Sequence, residues 1–275
     1  TITQAMMTSA APDTETADCI AIIVAAGRSN RAGPAPHHDT TQRGAENKLE
    51  KQFWPLAGKP VLAHSVDVFR THPRVKAIII VTAPHNIERV RSHFDEPNCY
   101  VIAGGATRQQ SVHAGLKAAA DIYPASRFVA IHDAARPLLP PALLNSLLAT
   151  ISDEVAGVAP ALPLADTLSC INAQQTIDRI IDRTPMRALQ TPQLFWRELI
   201  TDLHKHYADD TNFTDDCGLA LAAGHTIATV TGTHQLLKLT QPQDYAMLKT
   251  YCNAADSTSQ PAVHGMPDIR IGNGF

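Results

Sequence analysis

Four short apolar runs punctuate the first half of the chain: Ile20–Val24, Ala77–Val81, Tyr100–Ala103 and Phe128–Ile131. They are rich in β-branched residues and apolar at almost every position, the pattern of strands buried on both faces. Between them lie amphipathic stretches of helical period, Val61–Arg70, Asn86–His93 and Ser111–Ala120. Strands alternating with helices predict an α/β fold with a Rossmann-like, doubly wound, mostly parallel sheet. In such sheets ligands lie beyond the carboxyl ends of the strands, so chemistry is expected in the residues that follow each run.

The rhythm breaks between Val155 and Pro192, where Ala159-Pro160, Leu162-Pro163 and Thr184-Pro185 surround the alternating segments Thr167–Ile171 and Thr176–Ile181. Two short strands joined near Asn172-Ala173-Gln174-Gln175 predict a projecting β-hairpin arm, about residues 164–185. Helices are expected at Gln193–Tyr207 and Asp215–Ala223, a strand at Ile227–Val230 and a last helix at Pro242–Tyr251. Residues 1–18 read as a flexible leader, 19–252 as the main domain and 253–267, rich in Ala, Ser, Thr, Gln and Pro, as a linker. A polar, breaker-rich insertion separates Arg31 from Lys51 and reads either as a mobile cover or as a surface insertion without catalytic duty.

A chain of 275 residues suffices for one large α/β domain or two small ones. Its 23 basic and 26 acidic residues give a net charge of −3, which argues against nucleic acid as a partner and for a small substrate. Five widely spaced cysteines, without a Cys-x-x-Cys pair, fit neither a disulfide framework nor a metal cage and point to a reducing, cytoplasmic setting. No apolar run approaches the roughly 20 residues that span a bilayer, and residues 1–18 lack the pattern of a signal peptide.

The richest strand end is the first, Ala25-Ala26-Gly27-Arg28-Ser29-Asn30-Arg31. Small residues admit an anion to backbone N–H groups, and two arginines supply charge, although an ordinary tight turn explains the same residues. The loop is neither a P-loop nor a dinucleotide fingerprint. After the fourth run, Asp133 in His132-Asp133-Ala134-Ala135-Arg136-Pro137 is a candidate Mg2+ ligand, its alternatives being a cap on the helix entered near Pro140 or a partner for Arg136. After the third, Gly104-Gly105 with Ser111 could receive a flat base, or form a turn before a helix capped by Thr107. His37-His38 lacks a third ligand at metal-site spacing.

Taken in order, Ala25-Ala26-Gly27 with Arg31, Lys51-Gln52-Phe53, Leu56-Ala57-Gly58-Lys59-Pro60-Val61-Leu62, Gly104-Gly105 with Arg108 and Ser111-Val112, and His132–Pro137 resemble the 2-C-methyl-D-erythritol 4-phosphate cytidylyltransferases. The resemblance continues through Asp166-Thr167, Asp182-Arg183, Gln190–Gln193, Thr214-Asp215-Asp216 and Lys238-Leu239-Thr240, covering roughly residues 19–251. It implies a nucleotidyltransferase fold and transfer of CMP from CTP to methylerythritol phosphate with release of pyrophosphate. Ala25, Ala26, Gly27, Gly105, Ala106, Ser111 and Ala134 would bind CTP, Arg31, Lys51 and Lys238 would be catalytic, and Asp133 would hold Mg2+. Arg136, Thr167, Arg183, Thr191 and Thr214 would surround the sugar phosphate, with Thr167 and Arg183 on an arm that embraces the second subunit of a homodimer.

Two departures stand out: the long spacing from Arg31 to Lys51, which leaves Lys48 as a competitor for the triphosphate, and His234-Gln235-Leu236-Leu237 where the family commonly has an acidic residue and an asparagine. The rival readings are a cytidylyltransferase for another polyol phosphate such as ribitol phosphate, and a non-catalytic nucleotide-binding scaffold. The tail Asp268–Phe275 resembles the first strand of methylerythritol cyclodiphosphate synthase, so residues 268–275 are expected to open a second, truncated domain of a bifunctional protein.

Overall fold

The computed structural model describes residues 18–27, 49–210 and 213–258, with side chains described as far as residue 254. Its elements are β1 (Cys19–Ala25), β2 (Pro55–Leu56), β3 (Lys59–Pro60), α1 (Val61–Thr71), β4 (Val75–Thr82), α2 (Ile87–His93), β5 (Cys99–Ala103), α3 (Arg108–Ile122), β6 (Phe128–Asp133) and α4 (Pro141–Thr150). There follow β7 (Gly157–Pro163), β8 (Leu168–Ile171), β9 (Ile177–Ile181), β10 (Arg187–Leu189), β11 (Gln193–Trp196), α5 (Arg197–His206), α6 (Asp216–Ala222), β12 (Ile227–Thr231) and α7 (Pro242–Thr258). The expected leader, the insertion with Arg28, Arg31 and Lys48, and the tail from 259 lie outside the described residues.

The four apolar runs form the parallel heart of an eight-stranded sheet, in the order β5, β4, β1, β6. Along β1 the side chains alternate between faces. Ala21 and Ile23 pack with Leu62, Val66 and Phe69 of α1 and Leu144 and Leu147 of α4. Ile20 and Ile22 pack with Val112 and Leu116 of α3 and Ile200 of α5. Both faces of the sheet are therefore covered, which is why the strands read as unbroken apolar runs.

The hairpin of β8 and β9 forms its own two-stranded antiparallel sheet, with the turn at Asn172–Thr176. A third cluster packs α7 through Tyr245 and Leu248 against Trp54, Leu56, Ala135 and Leu239. This helix runs to Thr258, beyond the expected Tyr251.

The main correction concerns Gln193–Trp196, expected as the start of a helix. These residues form β11, antiparallel to both β6 and β7, and the helix begins only at Arg197. Leu194 and Phe195 are both fully buried, so the segment shows no period of two and merges with the amphipathic helix that follows. The sequence does not announce β7, because Pro160 and Pro163 argue against a central strand. Pro160 turns its carbonyl to the amide of Gln190 (2.9 Å), placing its missing N–H on the side where β10 gives way to β11. The ladder is already interrupted there.

Gly157 marks a tight approach in this half of the sheet. A Cβ there would lie 2.4 Å from Phe195 Cδ1 and 2.6 Å from the Leu194 carbonyl oxygen. Gly157→Ala is expected to destabilise the protein by about 1–3 kcal/mol, seen as a lower urea midpoint; an unchanged midpoint would contradict this packing.

Candidate active site

The carboxyl ends of β1, β4, β5 and β6 open onto one cleft of about 470 Å³. Ala25, Ala26, Gly27, Lys51, Gly105, Ala106, Ser111, Asp133, Ala134 and Lys238 all line it, together with Gln52, His85 and Arg108. A larger depression of about 890 Å³ lies at the opposite end of β6, around Arg127 and Trp196. It contains none of the candidate residues and is not at the strand ends where α/β ligands bind, so the smaller cleft carries the argument.

On the β5 side, Thr107 caps α3 and forms a reciprocal capping box with Gln110. Ser111 Oγ accepts the Gly105 amide (3.1 Å) and donates to the Thr107 carbonyl (2.9 Å), so this hydroxyl braces the glycine loop. Gly104 is required by contact: a Cβ there would come within 2.8 Å of the Ala26 methyl and 2.7 Å of Ser111 Oγ. The Ala106 amide donates to Gln110 Oε1 (2.9 Å).

On the β1 side, Gln52 Nε2 donates to the Ala25 carbonyl (3.0 Å) and to Glu50, which also receives Asn86 Nδ2 (3.1 Å) and faces His85 Nε2 (2.8 Å). These contacts fasten the 3-10 turn Lys51–Phe53 to the body of the sheet. Lys51 Nζ donates to the Leu239 carbonyl (2.6 Å), one residue from Lys238. Leu239 is held in turn by its amide on the Ala135 carbonyl (2.8 Å). Lysines far apart in sequence are thereby placed on one wall.

The centre of the cleft is Asp133, the last residue of β6. Its Oδ2 accepts Lys238 Nζ (2.7 Å) and lies 4.0 Å from Arg136 Nε, while Oδ1 faces Arg108 Nε (3.2 Å). Burial pushes its pKa up, but Arg108 and Lys238 outweigh burial and hold the carboxyl well below its usual range. Arg108 extends further, donating from Nη1 to Asp216 Oδ2 (2.9 Å). The sequence gives Arg108 no role of its own; the signal for one is its place two residues after Ala106, at the first turn of α3.

Arg136 is half-buried and donates Nη1 to the Leu236 carbonyl (2.6 Å), while its Nε makes no hydrogen bond among the described residues. Thr191 is buried: its hydroxyl accepts the Asp133 amide (3.0 Å) and meets His132 Nδ1 (3.1 Å). It supports the β6 end from beneath. Thr214 is exposed just before Asp215, which caps α6, and Thr167 and Arg183 are exposed at the base of the hairpin, outside the cleft lining. Arg31 lies outside the described residues.

For a divalent cation the described residues lining the cleft offer one carboxylate, Asp133. Among the described residues no group of three or more His, Cys, Asp or Glu side chains could hold a metal ion. That donor set does not make a self-sufficient metal cage, but it fits Mg2+ carried on a nucleotide, which needs one carboxylate and takes its other ligands from phosphate and water.

His132 supplies a pH dependence. Its ring is fully buried with Nε2 on the Arg136 carbonyl (3.0 Å), and burial lowers its pKa from 6.5 to about 4. The unfolded chain takes up this proton as pH falls through 6.5, and the fold does not until about 4. Stability is therefore expected to fall across that window by about 3 kcal/mol, with a further loss at lower pH as Asp133 protonates. Urea midpoints at pH 7 and pH 4.5 would show it, and His132→Gln should flatten the upper part; a wild-type midpoint unchanged between these values would contradict the assignment.

Comparison with known proteins places this geometry. Residues 19–254 match the family model described as IspD: 2-C-methyl-D-erythritol 4-phosphate cytidylyltransferase. The chain is 36% identical over 258 residues to a bifunctional enzyme IspD/IspF of Rhodopseudomonas palustris, covering 93% of this chain and 58% of the relative, and 36% identical to another from Bartonella tribocorum, covering 93% and 60%. It thus spans little more than half the length of these curated relatives. Among solved structures, a 4-diphosphocytidyl-2C-methyl-D-erythritol synthase is 27% identical with a TM-score of 0.69, covering 86% of this chain and 98% of that one. The bifunctional IspDF of Campylobacter jejuni is 26% identical with a TM-score of 0.67, covering 84% and 54%. With a family model matched from the first strand into the last helix, the chain belongs to the 2-C-methyl-D-erythritol 4-phosphate cytidylyltransferase family.

Proposed function

We propose that this chain transfers CMP from CTP to 2-C-methyl-D-erythritol 4-phosphate, giving 4-diphosphocytidyl-2-C-methyl-D-erythritol and pyrophosphate. The observation that carries the reading is the gathering of Lys238, Arg108 and Arg136 around Asp133, with Lys51 lining the same cleft, at the carboxyl ends of the parallel strands. A phosphate oxygen of the acceptor attacks the α-phosphorus, the bond to the bridging oxygen of the β-phosphate breaks, and pyrophosphate leaves. The nucleophile is already ionised at neutral pH, so the protein's contribution is alignment and charge neutralisation.

In this reading Ala25, Ala26 and Gly27 supply a close backbone floor for the triphosphate, and Lys51, with Arg31, neutralises it. Gly105, Ala106 and the loop braced by Ser111 receive the base, and Ala134 borders the ribose. Lys238 and Arg136 meet the acceptor phosphate, with Thr214 at the rim. Asp133 would hold Mg2+, which when bound neutralises phosphate charge and fixes the triphosphate conformation. Thr191 acts beneath the site by holding the Asp133 amide.

The hairpin bears exposed Ile171, Ile177 and Ile180, with Met186 and Leu189 exposed beyond it. Apolar residues grouped on a two-stranded projection support a homodimer in which Thr167 and Arg183 reach the partner's cleft. A cytoplasmic setting follows from the scattered cysteines, and no helix among the described residues is long and apolar enough to cross a membrane. Because α7 takes up residues 253–258 of the expected linker, we further propose that residues 259–267 link this domain to a cyclodiphosphate synthase domain beginning near Asp268, as the bifunctional names of the relatives suggest.

Pyrophosphate release is expected with CTP, Mg2+ and methylerythritol phosphate together; activity with ribitol phosphate alone would sink the assignment. Lys51→Ala should lower kcat by about a hundredfold or more while the thermal melt is unchanged. Undiminished turnover would move the role to Lys48. Ile177→Asp with Ile180→Asp should shift sedimentation from dimer to monomer, and a protein already monomeric in wild-type form would contradict the arm's role.

A further inference from the structure

Three cations face Asp133, yet the cleft holds a second carboxylate at one remove. Arg108 bridges Asp133 in the cleft and Asp216 beneath it, through Nε at 3.2 Å and Nη1 at 2.9 Å. The side chain of Asp216 is 2% exposed, and its other oxygen meets His204 Nε2 at 2.9 Å. Behind that ring the chain of contacts ends. His204 Nδ1, His113 Nδ1 and Gln109 Oε1 are buried and make no hydrogen bond among the described residues.

A buried ion pair backed by unmet polar atoms is a poor stabiliser, since well-packed apolar residues would serve the fold as well or better. Its value lies in where it points. When substrate phosphates or a cation draw Asp133 away, a cation paired with Asp133 alone would lose its only counter-charge and its orientation. Arg108 would not, because its planar fork keeps one edge on Asp216 while the other is released to the cleft.

We propose that Asp216, oriented by His204, is a positioning residue that anchors Arg108 in the cleft while Asp133 exchanges partners during the reaction. The inference rests on the cytidylyltransferase reading of the site. It adds a layer beneath that site: Asp216 touches no substrate and acts only through Arg108. Asn at this position would still accept one hydrogen bond but would remove the charge, leaving Arg108 to clamp Asp133.

The test is a double-mutant cycle with Asp216→Asn and Arg108→Lys, read as kcat and KM per CTP-binding site. Asp216→Asn is expected to lower kcat about tenfold with KM for CTP unchanged or lower, and to cost nothing further in the Arg108→Lys background. The same loss in both backgrounds, or a loss that merely tracks the CTP-binding fraction, would overturn the proposal. If Asp216→Asn does not melt cooperatively, His204→Gln, which keeps an N–H donor, should retain kcat where His204→Ala loses it; equal kcat in the two would overturn it. Solvent exchange of the Arg108 guanidinium protons, followed by NMR, gives an activity-independent answer. The Nε proton faces Asp133 and the Nη1 protons face Asp216, so weakening the anchor in whichever of these variants folds should quicken Nη1 exchange while leaving Nε–Hε exchange unchanged or slower; unchanged Nη1 exchange would count against the anchor. A wild-type enzyme inactive toward methylerythritol phosphate would remove the proposed function instead.

Discussion

Asp133 is a single carboxylate facing Arg108, Lys238 and Arg136, and most of the cleft can be described by asking how each cation is kept there. Charges of one sign within a few ångströms repel, and burial penalises each of them. The carboxylate offsets this in the absence of ligand, and phosphates would offset it when bound. In the proposed reading Asp133 stands in for substrate charge until phosphates and Mg2+ arrive, and it is placed by backbone: it ends β6, pairs in register with Val24 of β1, and has its amide tied to Thr191. Anything that moves the β6 end moves the counter-ion of three cations together.

The fold delivers the cations by separate routes that converge. Arg108 comes from the first turn of α3, set by the Thr107 capping box. Lys238 follows a 3-10 turn and is pinned by the Leu239 amide on the Ala135 carbonyl, while Leu239 joins the apolar cluster that docks α7. Lys51 comes from the turn after the insertion, with its ammonium on the Leu239 carbonyl. One short segment, Leu237–Leu239, therefore couples the last helix to both lysines. Packing remote from the cleft reaches the chemistry through it.

The parallel heart of the sheet was legible because strands buried on both faces, separated by amphipathic helices, have few alternative arrangements. The strand ends then located the cleft, and Ala25–Gly27, Lys51, Gly105, Ser111, Asp133 and Lys238 do lie together in space. In the other half β12 was legible at Ile227–Val230, but β7 and β11 were not. Gln193–Trp196 has no period because both faces are buried, and the prolines of β7 hide a strand whose neighbour is interrupted where Pro160 lacks an N–H. Nor could spacing show that the hydroxyls of Ser111 and Thr191 are engaged with backbone, since a serine or threonine that braces a loop and one that meets a ligand look alike in sequence. The Arg108 bridge was hidden for another reason: Asp216 is 108 residues away, and only the fold brings it beneath the cleft.

The central claim is that these cations organise attack at the α-phosphorus of CTP by a sugar phosphate. Position-specific labelling addresses it directly. With CTP labelled in turn at the α- and γ-phosphorus, incubated with the protein, Mg2+ and methylerythritol phosphate, the α-label should appear in the polyol conjugate and the γ-label in pyrophosphate. A γ-label recovered on the polyol, or no transfer of either label, would contradict the account.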